Sequence, residues 1–112
     1  MVQTNISVSA IGVLRGMHFH RRQTAYWCLI DGEVFVALRD MRVGSPTHGA
    51  AWSRNLRAAD GYFDEGADEF GFAWDDRDAG IPWPRDSPIL SERDRSNLSL
   101  IEALERAPTF SP

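Results

Sequence analysis

The segment Arg15-Gly16-Met17-His18-Phe19-His20 holds the side chains best suited to chemistry. On an extended strand, residues two apart point to the same face. His18 and His20 then read as two imidazoles side by side. Such a pair suits proton transfer, because imidazole titrates near neutral pH, or it suits metal ligation. A catalytic metal normally takes three protein ligands. The sequence offers two here, and Thr24 and Ala25 stand where a third, acidic ligand would be wanted. Two histidines that only pack or face solvent would show the same local pattern. Arg15 lies three residues before His18, and its planar fork can grip a phosphate. A lone arginine is more often a surface residue. Asp94 stands three residues after Ser91, where a helix N-terminus favours an acid. Its local pattern does not mark it as catalytic.

The chain that must position these groups has 112 residues and a mass of 12.6 kDa, which fits one domain over 1–112. All twelve basic side chains are arginine. Without lysine there is no Schiff-base chemistry, no phosphate loop of the GK[ST] kind and no lysine base. The net charge is −4 and unevenly spread. Residues 1–59 carry seven arginines against Asp31, Glu33 and Asp40, while residues 60–112 carry five against thirteen acids. The basic half suits an anionic ligand. The acids from Asp60 to Asp78 read equally well as a solvated surface. A calcium loop from Asp60 fails, because Glu65 takes the place of the needed glycine and Gly71 that of the glutamate. Nucleic acid is a poor partner for an acidic chain without a basic run. The apolar runs are too short to span a membrane, and the N-terminus lacks the form of a signal peptide. A single cysteine, Cys28, makes no internal disulfide, and a reducing cytoplasm is the expected compartment.

The elements read as mainly β. Ile6, Val8 and Ala10 alternate with serines, which predicts a strand. Tyr26 to Ile30 and Glu33 to Arg39 are rich in aromatic and β-branched residues and predict two more. Asp31-Gly32 between them is a strong hairpin signal. Both faces of the Glu33–Arg39 strand are apolar, which places it between two layers. Val43 to Thr47 reads as a loop, 50–59 as a short helix, 60–70 as a loop and Gly71 to Trp74 as a short strand. Ile81-Pro82-Trp83-Pro84 is extended. Ser91 starts a helical turn. Ser99 with Glu102 forms a capping box for a short C-terminal helix, with Leu100, Ile101 and Leu104 as its apolar stripe.

The string GVLRGMHFH at 12–20 resembles the active-site strand of the dTDP-4-dehydrorhamnose 3,5-epimerase family, cupin-fold enzymes of nucleotide-sugar metabolism. The spacing from Gly12 through His18 to His20 also matches the first half of a common cupin metal motif. Further segments follow the same family in order. They are Asp31-Gly32-Glu33-Val34-Phe35, Asp40-Met41-Arg42, Gly44-Ser45-Pro46-Thr47, Tyr62-Phe63, Trp74-Asp75-Asp76, Ile81-Pro82-Trp83-Pro84 and Leu90-Ser91-Glu92-Arg93-Asp94. The resemblance implies a cupin-type jelly roll, that is, a double-stranded β-helix with a short C-terminal helix. It implies epimerisation at C3/C5 of a dTDP-4-keto-6-deoxy sugar, with His18 as general base and Asp94 as its carboxylate partner. By the same resemblance Arg15 holds the nucleotide phosphates. His20 stands where the family usually has glutamine and joins Arg15 as a substrate-binding residue. No metal or cofactor is implied, and a homodimer is.

The chain also departs from the family. The stretch before the first strand is short. Between Gly49 and Tyr62 several strands are missing, so the jelly roll is expected to be incomplete around 50–60. With them go a P-x-G-x-A-H-G-F segment and the tyrosine expected as the acid on the opposite face. The family's active-site lysine falls at Ala25. Two functions follow from the sequence: a nucleotide-sugar epimerase, or a non-catalytic cupin remnant that binds nucleotide sugar weakly or not at all.

Overall fold

The computed structural model describes residues 4–22, 24–58, 61–65 and 70–110. Six strands and two short helices are present among them. They are β1 His18–Phe19, β2 Thr24–Cys28, β3 Glu33–Arg39, β4 Ala51–Arg57, β5 Gly61–Glu65, β6 Phe70–Gly71, α1 Glu92–Arg95 and α2 Leu100–Leu104, with a 3-10 turn at Arg77–Ala79. The protein is mainly β, as its sequence patterning predicts.

The pairing is nested. β3 pairs with β4, β2 with β5 and β1 with β6, each antiparallel. Partner numbers add to 89 in the two outer ladders (His18 with Gly71, Thr24 with Glu65, Cys28 with Gly61). They add to 90 in the inner one (Glu33 with Arg57, Arg39 with Ala51). The three two-stranded sheets are therefore nested about the turn after β3. The step of one arises between Cys28–Gly61 and Glu33–Arg57, where one arm has one residue more than the other.

The Asp31-Gly32 turn is real, with Gly32 at φ 83°, but it does not close a hairpin between the strands it joins. β2 and β3 take different partners, so the turn carries the chain from one sheet to the next. Positive φ at a turn residue fixes the local bend and leaves the choice of partner to the strands. The short helix expected at 50–59 is instead strand β4. Its register against the apolar β3 outweighs a sequence, AWSRNLR, with little β pattern of its own. The loop expected at 60–70 contains β5 at Gly61–Glu65 and the start of β6; its residues 60 and 66–69 lie outside the described residues. Ile6, Val8 and Ala10 form no strand, and Ile6 and Val8 are exposed. Alternation alone does not make a strand without a neighbour to pair with.

The turn between β3 and β4 is tied by Asp40. Its carboxylate accepts from the Arg42 backbone N–H and guanidinium at 2.9 Å, from Ser45 Oγ at 2.7 Å and from Thr47 Oγ1 at 2.6 Å. The Arg42 guanidinium, with help from Thr47 and Ser45, holds this carboxyl well below the usual carboxylate range against the opposing effect of burial.

The core forms where α2 packs against residues from both ends of the nested strands, Met17 before β1 and Met41 after β3. It contains Met17, Met41, Phe72, Ala79, Leu100, Ala103 and Ala107, flanked by Phe19, Ile81, Trp83 and Leu104. The buried face of α2 is Leu100, Ala103 and Leu104. Ile101, expected in that stripe, is exposed, because one helical step turns it about 100° away. Asp76 joins the 3-10 turn to α2: its Oδ1 accepts from Asp78 N at 3.0 Å and its Oδ2 from Leu100 N at 2.8 Å. The Trp83 indole N–H donates to Trp74 O at 2.7 Å. The predicted capping box is present, with Ser99 and Glu102 each bonded to the other's backbone N–H. The Ser99 hydroxyl and backbone N–H lower the Glu102 carboxyl from its ordinary value.

Candidate active site

His18 lies on β1, opposite Gly71 of β6. The Phe72 N–H donates to Met17 O at 3.0 Å and extends that short ladder by one bond. Gly71 is a packing requirement. A Cβ there would fall 2.6 Å from Met17 O and 2.7 Å from Asn97 Oδ1. Glycine inside a strand often marks such a close approach. The glycine is visible in the sequence, but its role is not, because Met17 and Asn97 reach it from distant parts of the chain.

Asp94 comes from a distant part of the chain, on α1. Ser91 caps this helix, and its Oγ accepts from Asp94 N at 3.1 Å. The Asp94 carboxyl is then aimed at His18, with Oδ1 2.5 Å from Nε2. Asp94 is 4 % exposed. A buried carboxylate needs a partner, and His18 supplies one. The local reading of Asp94, as an acid favoured by a helix start, accounts for its position on α1. It does not account for the direction of the side chain.

The pair fixes a tautomer. A carboxylate can only accept, so the imidazole proton belongs on Nε2 and the lone pair on Nδ1. The arrangement can take a proton at Nδ1 while the carboxylate stabilises the imidazolium that results.

The other two candidates do not join this pair by any hydrogen bond among the described residues. Arg15 is exposed and donates through Nε to Ser9 Oγ at 3.0 Å and through Nη2 to Val8 O at 3.4 Å. His20 is half-buried, with Nδ1 enclosed and unpartnered. Among the described residues no group of three or more His, Cys, Asp or Glu is placed to hold a metal ion. Among the described residues no helix is long and apolar enough to cross a membrane. A cavity of about 170 Å³ lies beside Phe19, Phe70, Gly71, Arg93, Asn97 and Arg106; neither His18 nor Asp94 lines it.

A histidine oriented by a buried carboxylate on a mainly β scaffold defines a class of proton-transfer sites. Comparison with known proteins narrows the class. The sequence model of dTDP-4-dehydrorhamnose 3,5-epimerase matches residues 1–63. A dTDP-4-dehydrorhamnose 3-epimerase of Streptomyces niveus is 33% identical over 145 positions, covering 99% of this chain and 69% of that protein. A dTDP-4-dehydrorhamnose 3,5-epimerase of Mycolicibacterium smegmatis is 37% identical, covering 92% of this chain and 66% of its own length. Among solved structures, a 4-keto-6-deoxy sugar epimerase from the novobiocin gene cluster of Streptomyces spheroides superposes with a TM-score of 0.82. It is 32% identical, with 97% of this chain and 71% of that one covered. A Mycobacterium tuberculosis epimerase gives 0.80 at 29% identity, with 97% and 72% covered. The chain belongs to the dTDP-4-dehydrorhamnose 3,5-epimerase family. It spans about two thirds of the length of the curated relatives it matches. The 145 aligned positions against the Streptomyces niveus protein exceed the 112 residues of the chain by 33.

Proposed function

We propose that the chain is a nucleotide-sugar epimerase that moves a proton α to the 4-keto group, at C3 or C5, of a dTDP-4-keto-6-deoxy sugar. The observation that carries this reading is the His18–Asp94 pair, 2.5 Å apart in a chain of this family. His18 Nδ1 takes the proton from carbon. Asp94 holds the ring in its tautomer and offsets the charge it gains. Arg15 and His20 bind substrate, with Arg15 directed to the diphosphate. The reaction is a proton transfer out and back, so the chemistry asks for no cofactor or metal.

The architecture we propose is a single cupin-type jelly roll over 1–112, incomplete in its centre. The nested pairing of β1 with β6, β2 with β5 and β3 with β4 supports it, because a double-stranded β-helix is a ribbon wound on itself in this way. An alignment longer than the chain by 33 positions supports a shortened chain. A second copy of the chain is the partner we propose, and the cytoplasm the compartment. The accessible surface is 8220 Å², against about 6,200 Å² for a compact monomer of this mass. That excess, with Ile6, Val8, Tyr26, Trp27 and Trp52 exposed, supports an unfinished surface.

The excess surface also favours a second reading, a non-catalytic cupin remnant. Its other support is the tyrosine count of two, Tyr26 and Tyr62, neither matching the family's acid. The test is incubation with the 4-keto-6-deoxy dTDP-sugar in D₂O, following C3 and C5 by NMR. Deuterium incorporation that disappears in His18→Ala supports the epimerase. Incorporation no faster than buffer supports the remnant.

A further inference from the structure

Removing a proton beside a ketone drives an electron pair onto the carbonyl oxygen, and the enolate needs a hydrogen-bond donor there. On the epimerase reading, on which this inference rests, His18 and Asp94 supply the base and its orienting group. They do not supply that donor. The chain has no lysine. Arg15 donates to Ser9 and Val8, and Arg21, equally near His18 in sequence, lies over the Phe70 ring.

His20 has the properties the donor requires. It follows His18 by two residues, one step past the end of β1, and like His18 it is half-buried. Its Nδ1 is enclosed and has no partner. Buried polar atoms are rarely left unpaired, and an orphaned N–H is rarer than an orphaned acceptor. The ring proton therefore belongs on Nε2, the nitrogen that is not enclosed.

We propose that His20 is the electrophile of the site, its Nε2–H donating to the 4-keto oxygen while His18 Nδ1 removes the proton from the adjacent carbon. The C–H bond breaks and its electron pair becomes the new C=C bond. The carbonyl π pair moves to oxygen, which accepts the hydrogen bond from His20. The proton passes from His18 to solvent, and a solvent proton added to the opposite face of the carbon reverses the electron movements with inversion, so nothing is oxidised or reduced. A neutral imidazole is chemically suited to polarise a carbonyl in this way.

The test compares His20→Phe and His20→Gln with the unmodified chain and His18→Ala in the D₂O exchange assay, using the 4-keto-6-deoxy dTDP-sugar. Loss of a single oxyanion donor typically costs 10²–10³-fold in rate. His20→Phe is expected to slow exchange by about that factor with KM within threefold. His20→Gln, which keeps an N–H donor, is expected to retain more of the rate. Nitrogen-15 NMR of histidine-labelled protein reads the tautomer without any turnover. A proton on His20 Nε2 supports the proposal, and a proton on Nδ1 overturns it even if His20→Phe does not fold. Exchange that needs His18 yet stays within threefold of normal in His20→Phe overturns this proposal alone. Absence of exchange in the unmodified chain overturns the epimerase reading and this inference with it.

Discussion

Asp94→Asn isolates the pair at the centre of the site. Asparagine nearly matches aspartate in shape, and the backbone bond from residue 94 to Ser91 Oγ does not depend on the side chain. The fold is therefore expected to hold, with Tm within about 5 °C of the parent, a shift of roughly 1 kcal/mol for a domain of this size. The charge and the tautomer change instead. A carboxylate 2.5 Å from His18 Nε2 accepts only, which leaves Nδ1 basic. The amide can turn its NH₂ toward Nε2 and shift the ring proton to Nδ1, the atom that must accept. Hydrogen bonds to charged groups contribute about 1.5–3 kcal/mol against about 1 for neutral ones, so the imidazolium loses about 1–2 kcal/mol of support, near tenfold in rate. Mispopulation of the tautomer adds roughly one to three further powers of ten. The expected fall is about 10²–10⁴-fold, the usual span for acid–base groups. The assay is the initial rate of deuterium incorporation at saturating sugar nucleotide, run beside a thermal melt and the nitrogen-15 spectrum of His18. Exchange within threefold of the parent, or an unchanged Nε2–H tautomer, would refute the reasoning.

Three further outcomes test the fold around that pair. Gly71→Ala places a methyl 2.6 Å from Met17 O, a backbone atom that cannot swing aside. A loss of about 1–3 kcal/mol is expected, read as a Tm fall of roughly 5–20 °C. Ser99→Ala removes the hydroxyl that caps α2 and is expected to cost about 0.5–2 kcal/mol in urea unfolding. The Asp40 carboxyl is lowered by Arg42, so its folded value lies below its unfolded one. Its contribution is thus complete above the ordinary carboxylate pKa of about 3.9 and lost as the pH falls toward the folded value. Urea midpoints between pH 5 and 2 are expected to fall less steeply in Asp40→Asn than in the parent.

Residues differ in how much of their role their own sequence discloses. β3 was readable to the residue, because Val34, Phe35, Val36 and Leu38 favour a pleated strand whatever its partner. The capping box at Ser99 was readable because its bonds close within one turn. β4 was not, since Ser53, Arg54 and Asn55 carry no strand signal and take their form from β3. The Asp31-Gly32 bend was readable, while the partners of the strands it joins depend on residues far along the chain. His18 stood out by type and spacing. Asp94 did not, because its direction is set by a contact across 76 residues, and only the family resemblance linked the two.

The nested register also bears on the order in which the molecule assembles. Arg39 and Ala51 meet across 12 residues, Thr24 and Glu65 across 41, and His18 and Gly71 across 53. Closing a loop costs entropy that grows with its length, so the tightly tied end at Asp40 is the cheapest place to start. Each pair formed shortens the loop left for the next. The strand bearing His18 is then the last to dock, and it is held by the core packing of Met17, Phe19 and Phe72 more than by its two-residue ladder. The β1 amides are expected to exchange only when that packing opens. A ligand that bridges β1 and α1 would protect those amides more than it protects β3, so the same amides would report occupancy of the site.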